Sequence, residues 1–315
     1  MPAVPIPSQV QPLTTELVHN RWCANATYEV TRVQKARSRL RLAVKRRDAR
    51  KNLMITIQHI SDFLAEHAPP ALAEEWDNVG LLVGDPTRPV ARIMTCLTVT
   101  PVTVAEAVEE RVDLLVAHHP LPFRPLKQLT THSLPGRLLL QLIQAGVAVH
   151  SSHTAFDSSV NGINRALAEG LGLIDICPLV ASADSAEVGS GRVGSLPSSR
   201  SLGEMAQRLK VFLQLESLQQ VGGAEQIIRR VAVGCGSAGQ FLTAARAAQC
   251  DLLVTGEASF HTCVEADATG IAILLPGHYA SERFAMERLS ATLAARFSEC
   301  VVWPSRRESD PLRWV

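Results

Sequence analysis

Two stretches of the chain repeat the same order of apolar and polar residues, and this repetition constrains the fold more than any other feature. Residues 92–113 contain an apolar run of strand length, an amphipathic stretch of helix length and the start of a further run, Asp-Leu-Leu-Val. Residues 230–251 show the same order and reach a second Asp-Leu-Leu-Val after the same separation of 21 residues. Alternating strands and helices are typical of α/β proteins. The sequence therefore predicts an α/β fold with two similar lobes from an internal duplication.

Turn and cap residues give the expected elements and boundaries. A helix capped by Thr56 should end before Pro69, and Gly146 should end a later helix. The stretch 181–201 is rich in Ser, Gly and Pro, which predicts a linker or loop. We expect the first α/β lobe at residues 54–180 and the second at 202–315. Strands are expected at 92–98, 113–116, 147–150 and 271–275, with helices at 102–110, 136–144 and 161–169.

In each repeat, a third apolar run is followed by a histidine and, four residues later, by an acid. These residues are His153 and Asp157 in the first repeat, and His278 and Glu282 in the second. Residues four apart face the same side of a helix, so each pair offers an imidazole and a carboxylate to one place. One such pair would be unremarkable, but two at matching positions indicate a shared role as metal ligands.

His118 and His119 directly follow the strand expected at 113–116, at the edge where α/β sheets place their sites. Neighbouring residues at a strand end point to different sides, so two ions suit this pair better than one. Imidazole and carboxylate ligands suit Zn, Fe, Mn, Ni or Co. A carboxylate such as Glu282 can bridge two cations about 3.5–4 Å apart. We predict two divalent metal ions per chain, held by His118, His119, Asp157, His278 and Glu282.

Other residues in the second half leave alternatives open. His261 follows Thr255-Gly256-Glu257 at a strand end, so it either lines the site or lies on a helix surface, and Glu257 is expected to line the site. The segment Gly234–Gly239 matches the dinucleotide-binding pattern G-x-G-x-x-G, but we favour a tight turn whose backbone N–H groups meet a substrate phosphate. Arg192, in a glycine-rich stretch, could reach an anion or belong to a flexible loop.

Positive charge is concentrated at the start of the chain. Residues 1–53 carry 11 Lys and Arg against 3 Asp and Glu, whereas the remainder carries 20 against 27. Globular patterning begins near Met54, so we interpret 1–53 as a basic, poorly ordered extension, with a nucleic-acid arm and a transit peptide as the alternatives. The acidic body argues against nucleic acid as a partner.

The sequence also bears on the cellular compartment. Its seven cysteines are scattered without a C-x-x-C pair, which suits a reducing environment. No apolar run approaches the roughly 20 residues of a membrane span, and the first residues lack the pattern of a signal peptide. We therefore expect a cytoplasmic protein without a membrane partner.

Six short motifs follow one another along the chain: Glu75–Gly84, His118-His119-Pro120, His153–Asp157, Gly191–Gly194, Thr255–Glu257 and Gly277–Arg283. In this order they resemble the motifs of the Nif-three-like family, also called GTP cyclohydrolase I type 2 homologs. The resemblance extends from about Met54 to the C-terminal region, and the spacing across 181–220 leaves no room for the central inserted domain of longer relatives.

The resemblance implies a dinuclear metal centre with the same five ligands, and it places His153 and His261 beside the metals, where they would orient the ligands or transfer protons. We expect His153 to be the catalytic proton-transfer group. The resemblance also implies two similar α/β lobes with the metal site between them, and a ring-shaped homohexamer. The activity it indicates is metal-dependent hydrolysis of a nucleotide-like or phosphorylated small molecule, with GTP ring opening as one version. A non-catalytic metal-handling or regulatory protein is the alternative, and a transcription partner is a third hypothesis.

Overall fold

Strands and helices alternate along the chain, as an α/β fold requires. A computed structural model describes residues 54–182 and 185–313, so the predicted extension 1–53 lies outside the described residues. The helices are α1 (Ile57–His67), α2 (Pro101–Glu109), α3 (Leu134–Ala145), α4 (His153–Ser158), α5 (Ile163–Gly170), α6 (Leu202–Leu213), α7 (Leu242–Ala247), α8 (Phe260–Thr269) and α9 (His278–Arg296). The strands are β1 (Gly80–Val83), β2 (Arg92–Cys96), β3 (Leu114–Ala117), β4 (Ala148–Ser151), β5 (Ile174–Cys177), β6 (Val180–Ser182), β7 (Ser185–Ser190), β8 (Arg192–Ser201), β9 (Gln219–Val221), β10 (Ile227–Gly234), β11 (Leu252–Thr255), β12 (Ala272–Leu275) and β13 (Val301–Pro304).

The first sheet has the strand order β1-β4-β3-β2-β13, in which β1 is antiparallel to β4 and the other neighbours are parallel. Successive side chains of a strand point to opposite faces. Ile93 and Leu114 pack with α1 and α9 on one face, whereas Met94 and Leu115 pack with α2 and α3 on the other. Because helices cover both faces, the central strands consist largely of apolar residues.

The second sheet has the order β5-β8-β10-β11-β12-β9, with the parallel strands β10, β11 and β12 near its centre. Val231 and Leu252 pack with α5 and α6 on one face. Ala232 and Leu253 pack with α7 and α8 on the other. The structure thus confirms the α/β class and contains two mixed sheets.

The two repeated stretches make matching local contacts. One carboxylate oxygen of Asp113 accepts hydrogen bonds of 2.9 and 3.0 Å from the backbone N–H groups of the residue before Arg92 and of Arg92 itself. In the second repeat, one carboxylate oxygen of Asp251 accepts hydrogen bonds of 2.7 and 2.9 Å from the backbone N–H groups of the residue before Arg230 and of Arg230 itself. Each Asp directly precedes one parallel strand and ties it to its neighbour. The duplication itself stays a prediction.

Helix α9 connects the two sheets. It follows β12 of the second sheet, yet its residues Met286, Leu289 and Leu293 lie in the core that packs on the first sheet. The Thr95 hydroxyl of β2 donates a 2.9 Å hydrogen bond to the Met286 carbonyl. After α9, the chain adds β13 to the first sheet. The first turn of α9 therefore lies where the chain passes from the second sheet to the first.

Residues 181–201 contain more regular structure than the linker or loop that their composition predicts. Strands β7 and β8 occupy most of this stretch, and β8 pairs with both β5 and β10. Ser and Gly are poor strand formers, but pairing with two neighbouring strands outweighs that weakness. Within the described residues, this segment holds no inserted domain. The lobe boundaries at 54–180 and 202–315 stay a prediction. The sheets do not follow these boundaries strictly, because β13, near the end of the chain, joins the first sheet, and β5, before residue 180, joins the second.

Two helix ends agree with the expected cap residues. The Thr56 side chain accepts a hydrogen bond from the backbone of His59 and caps α1, which ends before Pro69. Gly146 ends α3 with a φ of +69°, a conformation that glycine adopts without strain. Among the helices that the structure describes, none combines the length and apolar character that crossing a bilayer requires.

Candidate metal centre

Segments that follow strands of both sheets meet at one place. His118 and His119 directly follow β3, and Asp157 lies on the short helix α4, which follows β4. His278 and Glu282 lie one turn apart at the start of α9, which follows β12. The C-terminal edge of parallel strands is where open α/β sheets bind ligands. The five predicted ligands all lie at this edge.

The Glu282 carboxylate lies among three imidazoles. Its Oε2 is 3.2 Å from His119 Nε2 and 3.1 Å from His278 Nε2. Its Oε1 is 3.9 Å from His118 Nε2, and the same nitrogen is 3.6 Å from Asp157 Oδ1. One carboxylate therefore reaches histidines that follow strands of both sheets, as a ligand shared by two cations would have to do.

Two groups of side chains could each hold a metal ion. The first contains His118, His119 and His153, and the second contains His119, His278 and Glu282. Within each group, the candidate ligand atoms lie within 4.8 Å of one another. The structure thus places His153, expected beside the metals, as near to His118 and His119 as a ligand would be.

The polar atoms of this cluster fit bound cations. His118 is 2% exposed, and neither of its ring nitrogens has a partner with hydrogen-bond geometry. Glu282 Oε2 is also buried without such a partner, although two imidazole nitrogens approach it closely. Buried polar atoms almost always have a hydrogen-bond partner or a metal. A donor set of neutral imidazoles and carboxylates supplies what a divalent ion requires.

The electrostatics of the cluster follow from burial and close pairing. Although burial by itself would raise the pKa of Glu282, the imidazoles of His118, His119 and His278 hold it below its usual range. The Glu282 carboxylate close to Nε2 raises the pKa of His278 to about 9, against the effect of burial. Burial lowers the pKa of His118 well below its usual value, and burial together with Glu282 raises the pKa of Asp157 to about 7. A cation would favour the ionised form of both carboxylates.

Hydrogen bonds from outside the cluster orient two of its histidines. His119 Nδ1 lies 2.7 Å from Thr98 Oγ1, and His278 Nδ1 lies 3.1 Å from Glu257 Oε1. Such bonds to the second ring nitrogen fix the ring and leave Nε2 for a metal. Glu257, expected to line the site, therefore contacts it through His278.

Asp77 holds His153 in the same way. Its side chain is fully buried, and Oδ1 accepts a 2.7 Å hydrogen bond from His153 Nδ1. Oδ2 accepts bonds from the backbone N–H of Thr154, at 3.1 Å, and from its hydroxyl. Burial would raise the pKa of Asp77, but the bonds to His153 and Thr154 outweigh it and lower the pKa to about 2. His153 has a φ of +27°, which non-glycine residues rarely adopt, so these bonds hold an unusual backbone conformation.

Sequence reasoning missed three of the side chains that support the cluster. Asp77 lies inside the Glu75–Gly84 motif, which could have pointed to it. Thr98 carries no signal of its own in the sequence. The buried Cys235 donates from Sγ to Asp157 Oδ1 at 3.3 Å, and its position inside the Gly234–Gly239 pattern was the available signal.

The expected turn at Gly234–Gly239 lies directly behind the cluster. Gly236 has a φ of +60°, and a Cβ at this position would overlap with Glu282 Oε1 and crowd His278. Its backbone N–H donates a 2.9 Å hydrogen bond to Ser281 Oγ. Only glycine at position 236 leaves room for the Glu282 carboxylate, so the turn requires a glycine where α9 packs against it.

Two other sequence candidates lie elsewhere. Arg192 is 1% exposed, and its guanidinium donates to the backbone carbonyls of Gly189, Gly191, Ser158 and Ser159 at 2.6–2.7 Å. It is therefore structural, and the expectation that it could reach an anion is wrong. His261 is exposed on α8 and contacts the Phe260 ring, which agrees with the helix-surface interpretation.

A cavity of about 560 Å³ opens onto the cluster. His153, Asp157 and Glu282 form part of its wall. This volume lies within the range of roughly 300–1,000 Å³ that is usual for small-molecule sites. The arrangement thus joins a candidate metal centre to a space that can admit a small molecule.

Comparison with known proteins places the chain among relatives of similar length. Residues 55–311 match the family described as Duf34/NIF3 (NGG1p interacting factor 3). A GTP cyclohydrolase 1 type 2 homolog from Clostridium acetobutylicum is 32% identical over 232 residues, which cover 73% of this chain and 86% of that protein. Protein NIF3 homolog from Schizosaccharomyces pombe is 33% identical over 259 residues, which cover 77% and 92%.

Solved structures of other proteins share the fold of this chain. A hypothetical protein from Staphylococcus aureus has a TM-score of 0.75 and 25% identity, and the match covers 83% of this chain and all of that chain. A Bacillus cereus protein related to NIF3 has a TM-score of 0.76 with the same coverage, and at 21% identity it shows the shared fold alone. By its sequence from residue 55 to 311, this chain belongs to the Duf34/NIF3 family.

Proposed function

We propose that this chain is a metal-dependent hydrolase with a dinuclear centre, acting on a nucleotide-like or phosphorylated small molecule. One observation carries the proposal: the buried His118 imidazole and Glu282 Oε2, which lack hydrogen-bond partners, lie together beside a cavity. The two oxygens of Glu282 support two ions rather than one, because Oε1 faces His118, whose Nε2 also lies near Asp157, whereas Oε2 faces His119 and His278.

The proposed ligands are the five residues that the sequence predicts. Glu282 would be shared between the two ions, because it is the carboxylate that approaches His118, His119 and His278. Divalent cations bound here would supply Lewis-acid chemistry, which lowers the pKa of water towards about 7 and neutralises negative charge that develops on the substrate. Zn, Fe, Mn, Ni and Co all suit this ligand set.

His153 is the proposed proton-transfer residue. Its Nδ1–H is donated to the Asp77 carboxylate, which leaves Nε2 as the nitrogen that can accept or release a proton at the cavity. The Asp77 bond fixes both the tautomer and the ring orientation, as general acid–base catalysis requires. A metal ligand would use the same nitrogen, so the metal content of a His153 variant separates these two roles.

The substrate class draws on the relatives as well as on the site. Several bacterial relatives carry the name GTP cyclohydrolase 1 type 2 homolog. For this chain, opening of a nucleotide ring and hydrolysis of a phosphoester are two versions of the same proposal. Both attack an electrophilic centre with water and gain from cations that neutralise the oxygen on which charge develops.

We further propose that the two sheets arose by duplication, so that each contributes one His-x-x-x-acid helix to a site between two lobes, and that the chain forms a homohexamer. The matching Asp113 and Asp251 contacts support the duplication. The hexamer rests on the family resemblance, and a native mass near six times 34.1 kDa would support it.

Elemental analysis tests the metal centre. The purified protein should contain close to two metal ions per chain, and Glu282→Ala should lose metal. Glu287→Ala is the matched control, because Glu287 lies on the same helix with its side chain 60% exposed. If Glu282→Ala retained both ions at wild-type affinity, the shared-ligand role would be wrong.

A screen of nucleotides and phosphoesters with the metal-loaded protein tests the hydrolase. Turnover that disappears in Glu282→Ala but persists in Glu287→Ala supports the proposal. Two bound metals without turnover across the screen would favour the alternative, a metal-handling or regulatory protein.

A further inference from the structure

Two large aromatic side chains are exposed at the cavity. Trp76 is 60% exposed and Phe123 is 46% exposed, and both line the cavity beside the metal cluster. Their ring centroids are 5.7 Å apart with a 47° angle between the planes, so they form one bent surface, which we term the aromatic wall. The His153 ring lies 5.9 Å from Trp76 and 6.0 Å from Phe123. The aromatic wall therefore adjoins the proposed proton-transfer residue.

Hydrogen bonds fix the two loops that carry the aromatic wall. Asp77, directly after Trp76, is held by His153 and Thr154. The Asn78 side chain donates a 2.8 Å hydrogen bond to the carbonyl of Pro122, directly before Phe123. These hydrogen bonds hold the backbone of both loops, whereas the two rings are exposed to the cavity.

An exposed aromatic pair lacks the stabilisation that burial of its surface would give. A ligand that covers the rings recovers that stabilisation. Aromatic rings associate in offset-stacked or edge-to-face geometry at centroid distances of about 4.5–7 Å. We propose that the aromatic wall binds a planar heteroaromatic ring of the substrate and holds its reacting group towards His153. This inference rests on the proposed hydrolase function and specifies its substrate class.

Other groups of the same cavity suit the edge of such a ring. Ser237 and Gln240 line the cavity and are exposed. A hydroxyl and a carboxamide can each donate and accept hydrogen bonds, so they can meet ring nitrogens, amino groups or carbonyl oxygens. The cavity therefore offers an apolar surface to the ring face, polar groups to its edge and the metal cluster to the reacting part.

Calorimetric titration with two planar probes, adenosine and guanosine, tests the aromatic wall, with ribose as the probe that lacks a ring system of this kind. Trp76→Leu and Phe123→Leu should each weaken nucleoside binding by about 5- to 150-fold, the range found for the loss of one stacking aromatic side chain. Trp76→Phe should restore part of the affinity, because it keeps an aromatic face. Phe260→Leu is the matched control, since Phe260 is 77% exposed on α8. It should bind like the wild type.

Metal content measured on each preparation separates the two proposals. If Glu282→Ala loses metal but still binds nucleosides, the aromatic wall stands apart from the metal centre. If the wild-type protein holds two metals but binds neither nucleoside at millimolar concentration, or binds ribose equally well, the aromatic wall proposal is overturned while the metal centre stands. Unchanged nucleoside binding in both leucine variants, or an equal loss in Phe260→Leu, would also overturn it.

Discussion

Replacing Asp77 with Asn should destabilise the protein by about 2 kcal/mol at neutral pH. The Asp77 side chain is fully buried and accepts hydrogen bonds from His153 and Thr154, which belong to a segment 76 residues further along the chain. Asn keeps the shape of the side chain but removes its charge. Hydrogen bonds to a charged acceptor are roughly twice as strong as neutral ones, so the attachment of α4 should weaken.

The magnitude follows from the pKa of Asp77. Hydrogen bonds to His153 and Thr154 overcome burial and lower this pKa from 3.8 to about 2. Such a difference between unfolded and folded chains corresponds to about 2 kcal/mol of stability. Because the folded pKa lies below the unfolded one, this contribution is fully present above pH about 4–5 and is lost as the pH falls towards 2.

Urea denaturation of chelator-treated protein at pH 7 and pH 3 measures this effect without a contribution from bound metal. The free energy of unfolding of Asp77→Asn should lie about 2 kcal/mol below that of the wild type at pH 7, and the difference should shrink at pH 3. Asp267→Asn, at an exposed position of α8, is the control and should change stability by less than about 0.5 kcal/mol. Equal stability of Asp77→Asn and wild type at pH 7, or a difference that grows in acid, would refute the reasoning.

Three further predictions concern the site and the extension. His153→Ala should keep both metals yet slow hydrolysis by about 10²–10⁴-fold, as measured by elemental analysis and rate on one preparation; loss of metal would make His153 a ligand. Gly236→Ala should lower metal content because its Cβ would displace the Glu282 carboxylate, whereas Gly203→Ala, which meets only ordinary contacts, should not. A chain that begins at Met54 should fold, assemble and bind metal like the full chain in size-exclusion chromatography and elemental analysis, and loss of soluble oligomer would contradict this.

Local spacing explains why the sequence predicts so much of the site. Residues 153 and 157, and residues 278 and 282, are one helical turn apart, so their common direction follows as soon as the segment is helical. The two histidines after β3 lie at a strand end that the apolar run itself marks. Metal ligation needs particular side chains at short separations, and short separations are what a sequence displays directly.

The sequence by itself determined the alternation of strands and helices, the apolar strands and the two pairs of a histidine and an acid on one helix face, because these depend on periodicities of two and 3.6 residues. Only the tertiary structure decided that α9 packs on the first sheet, and that Asp77 holds His153. It alone showed Arg192 buried among carbonyls and Trp76 exposed beside Phe123. Each of these outcomes depends on which distant segments pack together, and that choice is made by the free energy of the whole core, which no local pattern of residues encodes.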